Sequence, residues 1–149
     1  EFALFATLVI AAPHVEFALP ELQRGFIPEA GGLWRAHRRL PPNVASELLL
    51  TGRRLTAEEG LRLGFVNRIV PGAELMTVAR EMAEQIVSAA PLAVAALMEA
   101  TRELEALSDK EAFSRLRALP TRNKMRASAD FLEGPRAFAE KRAPRWTGK

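Results

Sequence analysis

The chain has 149 residues, 48% of them hydrophobic and 26% charged, which is the composition of a globular domain with one core and excludes a fibrous or disordered one. It has no cysteine and only two histidines, His14 and His37, which excludes disulfides and cysteine-ligated metals and leaves no metal-binding constellation. Net charge is +3, no apolar run approaches the ~20 residues of a membrane span, and no secretion signal opens the chain, so a cytoplasmic location is the default expectation.

The opening residues, Glu1 to Ala6, read as the interior of a helix without a cap, and sequence is expected to precede them. Residues 8–11 form a continuous apolar run, as a strand buried on both faces would. Residues 16–19 alternate around Phe17 and Leu19 until Pro20, which cannot donate to a ladder. A glycine-punctuated loop spans 25–32, and a short helix follows it through Arg39. Pro41 and Pro42 open another helix that Gly52 is placed to end. Thr56 and Glu59 have capping-box spacing for a helix that Gly64 stops, and residues 66–70 suit a strand. Residues 74–89 are amphipathic, with Leu75, Val78, Met82, Ile86 and Val87 on one face. Pro91 suits the first turn of a helix to about Leu107. Ser108 and Glu111 form a second capping box, opening a helix that Pro120 ends or kinks. One more helix is expected over 128–133, and a last one after Pro135. The organisation is therefore an α/β part over 1–71 and a helical part over 72–149, whose several apolar faces have few partners within the chain.

The basic residues are clustered. Arg35, Arg38 and Arg39 read as a solvated face. Arg136, Lys141, Arg142, Arg145 and Lys149 suit a polyanionic ligand, but aromatic side chains are not interleaved with them as a nucleic-acid stacking surface requires. Glu21 alone is unremarkable, since a glutamate after a proline at a strand end is usually solvated or caps a turn. Its place between a buried-looking strand and a glycine-rich loop is where sites are commonly built.

Three separated segments carry a resemblance: FALPELQRGFIPEAGG at 17–32, LTGRRLTAEEGLRLGFVN at 50–67 and EGPRAFAEKR at 133–142. All three resemble, in order and with compatible spacing, the carboxyl-terminal part of the crotonase (enoyl-CoA hydratase/isomerase) superfamily. Residues 40–76 and SAAPLAVAAL at 88–97 look most like its carnitinyl-CoA dehydratase-like members. The fold implied is α/β: the last portion of a ClpP-like ββα spiral, followed by a helical trimerisation region.

The function implied is an acyl-CoA lyase that reversibly hydrates a 2-enoyl-CoA thioester with two glutamates acting on one water. Glu21 matches one of them, and Glu1, twenty residues earlier, matches the other. The chemistry needs two carboxyls because water loses a proton as it adds at Cβ while Cα gains one. The backbone donors for the enolate oxygen lie ahead of Glu1 in the family. Glu29 stands where some related isomerases carry a base; otherwise it is an acid favoured at a helix N-terminus. Phe138 and Lys141 match an aromatic and a lysine that meet CoA across a subunit boundary, and three residues apart on one helix they would share a face. CoA arrives as part of the substrate, and no metal, redox cofactor, nucleic acid or membrane is expected. A homotrimer or a dimer of trimers is implied. Thr7, Phe5 and Met98 depart from the family pattern. Two rivals stand beside the lyase: an enoyl- or dienoyl-CoA double-bond isomerase, and a non-catalytic acyl-CoA-binding or assembly subunit.

Overall fold

A computed structural model describes all 149 residues. The chain resolves into two compact units, Glu1–Arg80 and Glu81–Lys149. In the first, helix α1 (Phe2–Phe5) leads into strands β1 (Ile10–Ala11) and β2 (Glu16–Phe17), and a single 3₁₀ turn (Leu22–Arg24) follows. Helices α2 (Gly32–Arg39) and α3 (Pro42–Thr51), strand β3 (Leu55–Thr56), helix α4 (Ala57–Arg62) and strand β4 (Arg68–Ile69) complete it. β1 pairs parallel with β4 and β2 antiparallel with β3. Each strand is two residues long, shorter than the apolar runs, and each sheet has two strands. Asn67 extends the first pairing: its Oδ1 accepts the Val9 N–H at 2.7 Å, while its own N–H donates to the Val9 carbonyl at 2.7 Å.

The core of this unit gathers Leu4, Leu19, Ala36, Leu48, Leu55, Phe65 and Val66, with Phe17 set edge-on to Phe65 at 5.1 Å. Gly52 ends α3 in the left-handed region, as its place predicts. The Thr56 box closes only halfway. Thr56 Oγ1 accepts the Glu59 N–H at 3.1 Å, but the Glu59 carboxylate turns to Arg53, a charge-assisted partner it meets with both oxygens at 2.7 and 2.9 Å.

A 3₁₀ turn (Gly72–Glu74) precedes α5 (Leu75–Val87), which has no buried residue. The second unit holds α6 (Pro91–Leu104), α7 (Asp109–Ala118), α8 (Pro120–Arg126) and α9 (Ala129–Ala139). The capping box before α7 is present, with Glu111 Oε2 accepting the Ser108 N–H at 3.1 Å. No single helix is long and apolar enough to cross a membrane.

Three expectations are corrected here. Residues Ala129–Ala139, capped by Ser128, form one helix, not two divided at Pro135. The residue before a proline is normally driven out of the helical region by contact with its Cβ, and residue 134 is glycine. The helix ends at Ala139, so Lys141 lies beyond it and does not share a helical face with Phe138. Instead the Lys141 N–H bonds the Phe138 carbonyl and the Arg142 N–H the Ala137 carbonyl, a Schellman closure with Lys141 at φ +53°. The cluster at Arg35, Arg38 and Arg39 is solvated only at Arg38; the other two pack against α1.

Candidate active site

Glu1 stands at the N-cap position of α1, where its carbonyl accepts the Leu4 and Phe5 N–H groups at 3.0 and 3.3 Å. Its side chain does not cap that helix. Glu1 Oε1 accepts the backbone N–H of Gly32 at 2.8 Å, thirty-one residues along the chain. That N–H belongs to the first residue of α2 and has no partner within the helix, and the positive end of a helix favours an anionic acceptor. The approach requires glycine. A Cβ at residue 32 would stand 3.0 Å from Glu1 Oε1 and 2.8 Å from Pro28 Cβ. Gly31 is constrained too, at φ +107°.

Two arginines hold α1 in place. The Arg35 guanidinium lies 3.8 Å above the Phe5 ring, a cation–π contact. One turn later, Arg39 donates to the carbonyls of Ala3, Leu4 and Ala6, satisfying the end of α1 opposite Glu1. Phe5, larger than the family pattern expects, thus becomes the platform on which Arg35 stacks. Nothing in the structure explains Thr7. The signal for both arginines was present in the sequence: they sit at i and i+4 around buried Ala36, on the same face of α2.

Glu21 caps the 3₁₀ turn through its backbone, its carbonyl accepting the N–H groups of Arg24 at 2.9 Å and Phe26 at 3.3 Å. Its side-chain Oε2 is buried with no hydrogen-bond partner, an uncommon state for a carboxylate oxygen. No hydrogen bond joins Glu1 to Glu21. Glu29 is exposed in the turn ahead of α2, without a hydrogen bond.

Beside Glu1 opens a cavity of about 290 Å³ with Phe17, Leu19, Leu48, Leu55 and Phe65 in its walls. Its charged lining residues are Glu1 and Glu16, and Glu16 is paired with Arg54 at 2.9 Å. The structure therefore unites Glu1 with the glycine loop and an apolar cavity, and places Glu21 on the turn that begins that loop. Phe138 and Lys141 belong to the second unit. Phe138 is 88% exposed, and the Lys141 ammonium makes no ion pair.

A family model described as "Enoyl-CoA hydratase/isomerase" matches residues 1–149. The carnitinyl-CoA dehydratase of Proteus mirabilis (strain HI4320) is 48% identical over 151 residues, an alignment covering 100% of this chain and 58% of that protein. That of Salmonella arizonae is 49% identical, covering 99% of this chain and 58% of its relative. Among solved structures, an enoyl-CoA hydratase from Mycobacterium tuberculosis H37Rv superposes with a TM-score of 0.91 at 38% identity, over 99% of this chain and 58% of that one. One from Geobacillus kaustophilus HTA426 gives 0.91 at 36% identity, over 99% and 57%. The chain thus spans less than three fifths of the length of the curated relatives it matches.

Proposed function

The chain belongs to the enoyl-CoA hydratase/isomerase family and has the fold of the carboxyl-terminal portion of a crotonase, and from that premise we propose that it supplies two catalytic carboxylates to an acyl-CoA lyase. The reaction is reversible hydration of a 2-enoyl-CoA thioester, and Glu1 and Glu21 act on one water. The observation that carries this reading is the seating of Glu1: one carboxylate oxygen is fixed on the Gly32 N–H, and the residue lines an apolar cavity. A carboxylate oriented this way keeps its second oxygen for a water or substrate proton. The buried, unpartnered Oε2 of Glu21 supports it as the second group.

In the forward direction, one ionised carboxylate takes a proton from water as its oxygen adds to Cβ. The other carboxyl, protonated, gives its proton to Cα. The thioester oxygen carries the developing charge, and its stabilisation falls to backbone donors ahead of Glu1, outside the part of the fold this chain spans. Phe138 and Lys141 are the proposed contacts to the CoA moiety, in a homotrimer in which one subunit's helical region reaches its neighbour's substrate.

The test is to add crotonyl-CoA to the full-length protein and follow loss of the enoyl absorbance. Glu1→Gln and Glu21→Gln should each lower kcat by about 10²-fold or more, the scale of one acid–base group. Unchanged turnover in both variants would contradict the assignment. Absent hydration alongside turnover of a 3-enoyl-CoA would move the protein to the isomerase class, with Glu29 the next carboxylate to test.

A further inference from the structure

The segment after α9 does not leave the helix but returns along it. The Glu133 carboxylate takes Arg142 Nη1 at 2.6 Å and Nη2 at 3.0 Å, and also accepts the Arg145 N–H at 2.8 Å. One turn earlier on α9, Asp130 Oδ1 accepts the Thr147 N–H at 2.8 Å and its hydroxyl at 3.0 Å, and Oδ2 accepts the Gly148 N–H at 2.8 Å. Trp146 lies between these anchors. Its Nε1 donates to the Ser88 carbonyl at 2.8 Å, and its ring lies where a Cβ on Gly134 would touch it at 3.4 Å. Finally the Lys149 carbonyl accepts the Ala129 N–H at 2.7 Å, an otherwise orphaned donor at the start of α9. Lengths agree with this path. Eleven helical residues rise about 16 Å, and eight nearly extended residues reach about 26 Å.

The strap begins at Lys141. A lysine with φ +53° holds a backbone conformation that L-residues avoid, and such a residue persists where its surroundings over-determine it. Here they do. The Schellman bonds fix the turn from the helix side, and the Glu133–Arg142 pair fixes it from the strap side, one residue beyond. Asp130 is 4% exposed yet contacts nothing but the strap among hydrogen-bond donors. Neither carboxylate has a role in the proposed acid–base step.

We infer that Asp130 and Glu133 are positioning residues for CoA recognition: by fastening the segment 142–149 along α9 they hold the turn that presents Lys141 just beyond Phe138, which the last turn of α9 carries. This rests on the reading that Phe138 and Lys141 contact CoA. Pre-ordering the turn removes the entropy that a mobile lysine would lose on binding, so its effect falls on substrate affinity and not on the chemical step.

The discriminating experiment compares two substrates of the full-length protein, crotonyl-CoA and the N-acetylcysteamine thioester of crotonate, which lacks the nucleotide. In Asp130→Asn and Glu133→Gln, KM for crotonyl-CoA should rise about tenfold, the scale of one side chain that must be ordered on binding. Both kcat for crotonyl-CoA and kcat/KM for the short thioester should stay near the parent values. Thr147→Val, which loses one donor to Asp130, should show a smaller shift of the same kind and serves if Asp130→Asn does not fold. Equal losses on both thioesters, or no change on either, would overturn the positioning role. Phe138→Ala and Lys141→Ala serve as the control on the underlying reading. If they leave KM for crotonyl-CoA unchanged, the CoA contact itself is wrong; if they raise it while the strap variants do not, only the positioning role fails.

Discussion

A methyl group at residue 32 would stand 2.8 Å from Pro28 Cβ and 3.0 Å from Glu1 Oε1, so Gly32→Ala must push the Glu1 carboxylate off the N–H that orients it. Pro28 is buried and its ring cannot swing away, so stability should fall modestly, offset in part by the alanine gained in the first turn of α2, while kcat for the proposed 2-enoyl-CoA hydration drops further, by roughly tenfold to a hundredfold for a displaced acid–base group. A melting curve beside a crotonyl-CoA assay checks this, and a drop in stability as large as the drop in rate would place Gly32 in the fold rather than the site. Lys141 offers the opposite test. Glycine relieves a left-handed residue by about 1 kcal/mol, so Lys141→Gly should raise the melting temperature while weakening CoA binding. Calorimetry with free CoA reads both effects on one sample, and a variant that is no more stable would mean the turn is not strained.

At the scale of elements, α1 has only four residues, too few for a helix to persist on its own hydrogen bonds. Its order comes from α2, through Arg35 stacked on Phe5 and Arg39 on the carbonyls of Ala3, Leu4 and Ala6. Replacing Arg39 with methionine keeps the stem and removes the donors. We expect faster amide exchange across residues 2–6 and a loss of hydration rate like that of a misplaced Glu1, with the rest of the first unit still protected. Exchange measured by mass spectrometry at peptide resolution checks it, and unchanged protection of α1 would show that Arg39 does not hold it. These arginines also mark where the sequence was hard to read. The helices announced themselves through proline at N1 of α3 and α6, glycine after α3 and the Ser108 box, all local signals, whereas Pro120 marks the end of α7 in the sequence without announcing α8, which it opens. Glu1 and Glu21 were legible as a spaced pair within a resemblance, and the glycine loop as a place of close approach. What stayed hidden depended on long-range partners: Glu59 choosing Arg53 over its box, Arg39 reaching back to α1, and a strap whose eight residues look like a basic tail until Asp130 and Glu133 are seen beneath them. Gly134 was readable in principle, because it excuses Pro135 from breaking α9, but a proline is the louder signal.

Across the whole molecule, the two units are stabilised by different forces, and acid should separate them. The first buries a continuous apolar set that includes Leu4, Leu19, Leu48, Leu55, Phe65 and Val66, and burial of this kind does not titrate. The second buries only Ala96, Leu119 and Ala137 among its apolar side chains and relies on the carboxylates of the strap. Arg142, with the Arg145 N–H, holds the Glu133 carboxyl at about 2, below its ordinary 4.5. The backbone N–H of Thr147 leads the contacts that lower Asp130. Ser108 lowers Glu111 at the head of α7, whereas in the first unit the lowered carboxyl is Glu59, beside Arg53. A carboxyl lowered in the folded state contributes its full stabilisation above its unfolded value and loses it as pH falls through its folded value. For Glu133 that window runs from 4.5 down to about 2. Stability of the second unit should therefore be flat from neutrality to about pH 5 and fall steadily below it. Probes in the two units report this separately, since Trp34 lies in α2 and Trp146 in the strap. In a Trp34→Phe background, acid should shift Trp146 emission before exchange protection is lost around Leu55 and Phe65. In the same background Glu133→Gln starts from a lower stability at neutral pH and has less left to lose, so its acid slope is shallower. Parallel slopes for the parent and Glu133→Gln would remove Glu133 from the titration and leave the strap's hold on α9 to Asp130.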